Sequence, residues 1–132
     1  MRDQNELRVL LVDDDPAVVR AYGTALGREG WIIATASNGK EAVARVKDGE
    51  FDVIVSDIGM PEMTGTEFLK AVRAHDVEVP VILMTGEPGV ESAMLAVEYG
   101  AFRYLAKPVA VQELCDTVTR AARFLPASAA SP

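Results

Sequence analysis

Five short apolar runs, each followed by a segment of helical period, constrain this chain more than any other feature. The runs are Val9–Val12, Trp31–Ala34, Val53–Val55, Val81–Met84 and Phe102–Ala106. The first four are almost continuously apolar, as strands covered on both faces of a parallel sheet should be. Arg103 interrupts the fifth, which suits an edge strand. Apolar residues recur at helical spacing after each run: Val18, Val19, Tyr22, Ala25 and Leu26; Ala42, Val43 and Val46; Phe68, Leu69 and Val72; Val90, Met94 and Val97. The last segment has Val111, Leu114, Cys115, Val118, Ala122 and Leu125. Five β-then-α units in a row predict an α/β protein with a parallel sheet.

Helix-end signals agree with this reading. Asp15-Pro16 supplies an N-cap followed by a first-turn proline. Thr64 with Glu67 forms a capping box, and Asn38 with Glu41 resembles one. Gly30 and Gly100 stand where C-terminal caps are expected. Gly23 and Gly27 fall inside the first helix, where each costs about 1 kcal/mol against Ala. From Pro126 the chain reads PASAASP, so residues 1–125 are expected to form the domain and 126–132 a linker or tail.

The chain has 132 residues, enough for one core without staples, and its single cysteine offers no disulfide. Its 20 acidic and 13 basic side chains leave a net charge of −7, the wrong sign for direct binding to a phosphate backbone. The first eight residues, MRDQNELR, have no signal-peptide character, and no run approaches the ~18 apolar residues of a membrane span. A cytoplasmic protein with no membrane partner is therefore expected.

The residues just past each strand carry the chemistry. The first strand runs into Asp13, Asp14 and Asp15, and the third ends in Ser56-Asp57. Thr85 comes after the fourth, and Lys107-Pro108 after the fifth. Open α/β sheets bind ligands at the carboxyl ends of their strands, where the strand order reverses. In the order 2-1-3-4-5 that point lies between strands one and three, so Asp57 would face Asp13 and Asp14 on one side and Thr85 on the other. Lys107 would start about 10 Å from Asp57, two strand spacings away, with a side chain long enough to reach back. Clustered carboxylates repel one another unless neutralised, and a hard divalent cation such as Mg²⁺ does this through oxygen ligands. Metal, ammonium, hydroxyl and an attacking carboxylate together suit an incoming phosphoryl group. A single aspartate at a strand end is more often a helix cap, and Asp15, before Pro16, is assigned only that role.

The segments LLVDDDP, VIVSDIGMPEMTG, VILMTGE and YLAKP, in this order and spacing, closely resemble the receiver domain of bacterial two-component response regulators. The resemblance covers about residues 7 to 125. It implies a doubly wound five-stranded parallel sheet of order 2-1-3-4-5 with five flanking helices, a flavodoxin-like topology. It also implies Mg²⁺-dependent phosphoryl transfer from the phosphohistidine of a sensor histidine kinase or phosphotransfer protein, with Mn²⁺ as an alternative metal. By position, Asp57 matches the phosphoacceptor, Asp14 the direct metal ligand and Asp13 the second acid, acting largely through metal-bound water. The backbone carbonyl of Gly59 matches the third protein ligand, and Lys107 matches the site lysine, whose bond to Pro108 is usually cis in the family. Thr85 resembles the switch hydroxyl and Tyr104 the aromatic that rotates inward with it. Phosphorylation is then expected to bias the face made by the fourth helix, fifth strand and fifth helix, read by a downstream protein, by an output domain or by a second copy in a homodimer.

Some positions depart from the family pattern or stand outside it. Ala110, a poor N-cap, opens the last helix, which is expected to fray there. Gly59 and Glu87 occupy the positions two beyond Asp57 and two beyond Thr85, which in the family tune access of water to the phosphoryl group. His75 is read as a surface residue after the third helix, Cys115 as a buried inert thiol, and Trp31, opening the second strand, as packing. Met60 and Met63 are read as loop packing rather than a kinase-docking surface.

Rival readings meet specific obstacles. A metal-dependent phosphohydrolase with Asp13 as nucleophile should carry Asp-x-Asp-x-Thr, but DDDPA lacks the Thr and 132 residues leave no room for a substrate cap. A flavin carrier needs a first loop rich in Ser, Thr and Gly, whereas three aspartates repel a phosphate. A non-phosphorylated interaction module would not need the full set of site residues present here.

Overall fold

The computed structural model describes residues 7–75 and 78–123; Leu125 and the tail expected over 126–132 lie outside them. Strands and helices alternate: β1 (Arg8–Val12), α1 (Pro16–Gly27), β2 (Ile32–Ala36), α2 (Gly39–Asp48), β3 (Val53–Asp57), α3 (Gly65–His75), β4 (Val81–Thr85), α4 (Val90–Glu98), β5 (Arg103–Ala106) and α5 (Val111–Arg123). The strands form one parallel sheet of order β2-β1-β3-β4-β5, as expected. Alternate strand residues point to opposite faces and build two cores. Leu10, Val12, Ile54, Val81 and Leu83 pack against α2, α3 and α4 through Ala42, Val46, Phe68, Leu69, Val72 and Ala96. Val9, Leu11, Val53, Val55, Ile82 and Met84 pack against α1 and α5 through Leu26, Leu114, Cys115, Val118 and Ala121.

One strand expectation is corrected. β2 is an edge strand paired only with β1 and is covered only in part: Ala34 packs against the first core and Ile33 against the second, but Ile32 at its start is 50 % exposed. A run of apolar residues looks alike at an edge and in the middle of a sheet, so the run alone did not distinguish them. β2 also begins one residue late, leaving Trp31 half-buried against the second core. β3 and β4 extend further than their apolar runs, so that Asp57 and Thr85 are the last residues of their strands.

The helix ends follow the sequence signals closely. The Asp15 carboxylate accepts the Ala17 N–H, with Pro16 in the first turn. Asn38 Oδ1 accepts the Glu41 N–H at 2.7 Å, while Glu41 reaches back to the N–H and hydroxyl of Ser37. Those two hydrogen bonds hold the Glu41 carboxyl below its usual pKa. Thr64 and Glu67 form the reciprocal box. Gly30 and Gly100 adopt φ of 89° and 70°, the left-handed conformation that favours glycine. At α5 the Leu114 N–H donates to Ala110 O at 2.9 Å, so the first turn closes although Ala110 has no capping oxygen. His75 is the exposed last residue of α3 rather than a loop residue beyond it.

Candidate functional site

The parallel register brings the strand ends together. Val12 of β1 lies opposite Ser56 of β3, so the next residues, Asp13 and Asp57, emerge side by side. Asp57 lies opposite Met84, and Thr85 opposite Ala106, which places Thr85 and Lys107 on the far side of Asp57. Asp13, Asp14 and Asp57 each contribute a carboxylate oxygen within 4.8 Å of the others. Asp13 and Asp57 are buried and Asp14 is exposed, so the cluster has a sealed floor and an open rim.

Lys107 spans the gap. Its ammonium lies 3.0 Å from Asp57 Oδ1 and 3.1 Å from Asp13 Oδ2, and the Lys107–Pro108 bond is cis. Burial opposes the positive charge, but the hydrogen bonds and charges of both aspartates outweigh it and raise the Lys107 pKa. Asp13 shows the reverse balance. Burial raises its pKa, and the Asp15 N–H at 2.9 Å and the Lys107 ammonium only partly offset this. The Asp57 charge adds to that rise in a smaller measure.

The loop after Asp57 is held by a close approach that the sequence alone did not reveal. Gly65 N–H donates to Ile58 O, and a Cβ on Gly65 would stand 2.5 Å from the Asp57 carbonyl oxygen. The start of α3 therefore rests directly on the backbone of Asp57. The available sequence signal was a glycine at the first position of a helix, where its low propensity has no local benefit. Gly59 borders the other side: a Cβ there would lie 3.9 Å from Asp57 Oδ2. Met60 is buried and Met63 covers Gly39, so both methionines pack the loop.

Thr85 is buried, and its hydroxyl accepts the Glu87 N–H at 3.0 Å. The Tyr104 hydroxyl sits at the N-terminus of α4, 2.6 Å from Ser92 Oγ, and accepts the Gly89 N–H at 3.1 Å. The exposed β4–α4 loop is thus strung between two hydroxyls, Thr85 at one end and Tyr104 at the other. Ser92 as the partner of Tyr104 was not legible in the sequence, where it reads only as a polar helix position. Cys115 is buried, and burial raises its pKa, as befits an inert thiol.

An all-oxygen cluster of three carboxylates with an open side fits a hard divalent cation. Among the described residues no helix is long and apolar enough to cross a membrane.

Comparison with known proteins points one way. The family model described as the response regulator receiver domain matches residues 9–119. The regulatory protein AtoC of Escherichia coli is 43% identical over 114 residues, covering 86% of this chain and 25% of AtoC. The transcriptional regulatory protein TrcR of Mycobacterium tuberculosis is 38% identical over 112 residues, covering 85% of this chain and 44% of TrcR. A solved CheY-like receiver domain protein from Methanospirillum hungatei superposes with a TM-score of 0.87 at 28% identity, covering 89% of this chain and 94% of that one. The chain spans less than half the length of these two curated relatives.

Proposed function

This chain belongs to the response regulator receiver domain family, and from that premise we propose that Asp57 accepts a phosphoryl group from the phosphohistidine of a sensor kinase or phosphotransfer protein. The observation that carries this reading is the Lys107 ammonium, held between the two buried carboxylates of the acid cluster, Asp13 and Asp57. An Asp57 carboxylate oxygen attacks phosphorus, the phosphorus–nitrogen bond of the donor breaks, and the imidazole leaves with the bonding electron pair. Asp13, Asp14, Asp57 and the Gly59 carbonyl are the residues that would hold Mg²⁺, or Mn²⁺, which accepts the same oxygen donors. When bound, the cation neutralises charge on the phosphoryl oxygens.

The chain's own residues do the rest. Lys107, kept charged by its two carboxylate partners, fixes Asp57 and can follow a phosphoryl oxygen as it arrives. Thr85 accepts the Glu87 N–H through its oxygen lone pair, which leaves its O–H proton to donate to the phosphoryl group. The same constellation would assist hydrolysis of the acyl phosphate, with Gly59 and Glu87 setting the approach of water. Movement of Thr85 draws on the β4–α4 loop and, through Tyr104 and Ser92, on the α4-β5-α5 face that a downstream protein or an output domain reads.

Mass spectrometry after incubation with Mg²⁺ and acetyl phosphate tests the proposal. Wild-type protein should gain one phosphoryl group and Asp57→Asn none. No gain by wild type, with beryllofluoride also failing to bind, would sink it.

A further inference from the structure

α4 carries an apolar stripe that the fold leaves bare. Val90, Met94 and Val97, spaced i, i+4 and i+7, are 77%, 65% and 80% exposed. They make up most of the exposed large hydrophobics among the described residues, the others being Ile32 and Val111. With Ala93 and Glu98 they line a shallow groove of about 520 Å³. Scattered exposed aliphatics need no explanation, whereas a continuous stripe rimmed by polar residues marks a docking face.

The charges around the stripe select the occupant. At about 100° per residue, Glu91 and Glu98 fall on one edge of the stripe and Ala93, a small residue, on the other. Glu87 precedes the helix, and residues 86–102 contain these three glutamates and no Lys, Arg or His. A second copy docking α4 on α4 would supply no base, and an antiparallel pair would set glutamate against glutamate. The next base, Arg103 on β5, leans over the Phe102 ring and donates to Phe102 O. A helix with its own i, i+3, i+4, i+7 apolar stripe and Lys or Arg along one edge satisfies both the groove and its acidic border.

We propose that α4 docks a basic amphipathic helix of a partner protein, with Val90, Met94 and Val97 receiving its apolar stripe and Glu91 and Glu98 pairing with its basic edge. This rests on the signalling role proposed above and names the chemistry of what the face reads.

Two fluorescein-labelled 18-residue helical peptides test it, one with Leu on the apolar face and Lys on the polar edge, the other with Glu in place of Lys. Anisotropy is read on samples whose phosphoryl gain has first been checked by mass, so failure of phosphorylation and failure of docking are separate readouts. The Lys peptide should bind at least about tenfold tighter than the Glu peptide, with affinity falling as salt rises. Glu91→Lys with Glu98→Lys should reverse the preference, and Met94→Gln with Val97→Gln should weaken the Lys peptide while leaving phosphoryl uptake intact. Backbone amide shifts on titration should centre on α4. Equal binding of both peptides, Lys-peptide binding indifferent to the α4 variants, or α4 shifts that appear on raising protein concentration alone would overturn the proposal, the last in favour of a second copy.

Discussion

The Lys107 ammonium lies 3.0 Å from Asp57 Oδ1, although the two residues leave strands separated by β4. Its second contact, 3.1 Å to Asp13, makes Lys107 the counter-charge that joins the ends of β1 and β3. Lys107→Met keeps the length of the stem and removes the charge. The metal-free variant should lose about 1–3 kcal/mol, toward the low side of a broken buried pair because Asp13 can take up a proton. Mg²⁺ should restore most of that loss, and phosphoryl uptake should remain slow even with metal. Urea titrations with and without Mg²⁺, beside rates of mass gain, check both parts.

The pKa directions fix how metal-free stability depends on pH. Lys107 binds its proton more tightly folded than unfolded, so its contribution is complete below its ordinary 10.5 and is lost as pH rises through the folded value. Asp13 is also raised, from 3.8, so its contribution is present below 3.8 and lost as pH climbs through its folded pKa. Melting temperatures of wild type against Lys107→Met should converge above 10.5, and those against Asp13→Asn should separate on the acid side as pH rises. Parallel curves across both ranges would contradict the assigned shifts.

Residues acting through strand position were legible in the sequence, and residues acting through distant backbone were not. Asp13, Thr85 and Lys107 come directly after apolar runs and Asp57 one residue later, so the sheet order alone predicts that they meet. Thr64, Asn38 and Asp15 act within a few residues of themselves and were equally readable. The edge character of β2 was hidden because its neighbours, not its composition, decide exposure. Arg73 was invisible as anything but a helix-surface base, since its partners are carbonyls at Val79, Tyr99 and Gly100.

Gly65 and Gly59 flank the same aspartate and should respond differently to the same substitution. A methyl on Gly65 meets Asp57 O at 2.5 Å and Ile58 Cα at 2.6 Å, both backbone atoms that cannot turn away. Gly65→Ala should cost about 1–3 kcal/mol and displace Asp57, lowering phosphoryl uptake. Gly59→Ala, with its nearest atom at 3.9 Å, should fold with near wild-type stability. Equal melting temperatures for the two variants would show that α3 does not rest on Asp57.

Arg73 anchors one end of α4. Its guanidinium donates to Tyr99 O, Gly100 O and Val79 O at 2.7–2.9 Å, and Lys70 lies over the Tyr99 ring. The opposite end begins at Gly89 with no side-chain cap, and neither Gly86 nor Gly89 has a neighbour where a Cβ would stand. α4 is therefore fixed at its C-terminus and tied at its N-terminus mainly through Tyr104 and Ser92. Arg73→Met should destabilise by about 3 kcal/mol, given three hydrogen bonds from a charged donor that do not simply add. Hydrogen exchange should rise along the last turn of α4. Ser92→Ala should raise exchange only in the first turn, at a cost of about 1 kcal/mol.

Three consecutive aspartates come after β1, and their surroundings give each a different expected phenotype. Asp15 points back to cap α1, so Asp15→Ala should cost about 1 kcal/mol while the response to Mg²⁺ stays intact. Asp14 is exposed and belongs to the acid cluster, so Asp14→Asn should leave metal-free stability nearly unchanged or slightly raised, by relieving repulsion, and should abolish metal stabilisation. Asp13 is buried and paired with Lys107, so Asp13→Asn should weaken metal binding and also change the pH profile. For wild type, Mg²⁺ at a hundredfold excess over its dissociation constant should add about 2.7 kcal/mol, because it binds the folded state alone. Thermal melts of the four proteins with and without Mg²⁺ separate these roles. A full metal response in Asp14→Asn, or its loss in Asp15→Ala, would mean that the cation sits elsewhere than among Asp13, Asp14 and Asp57.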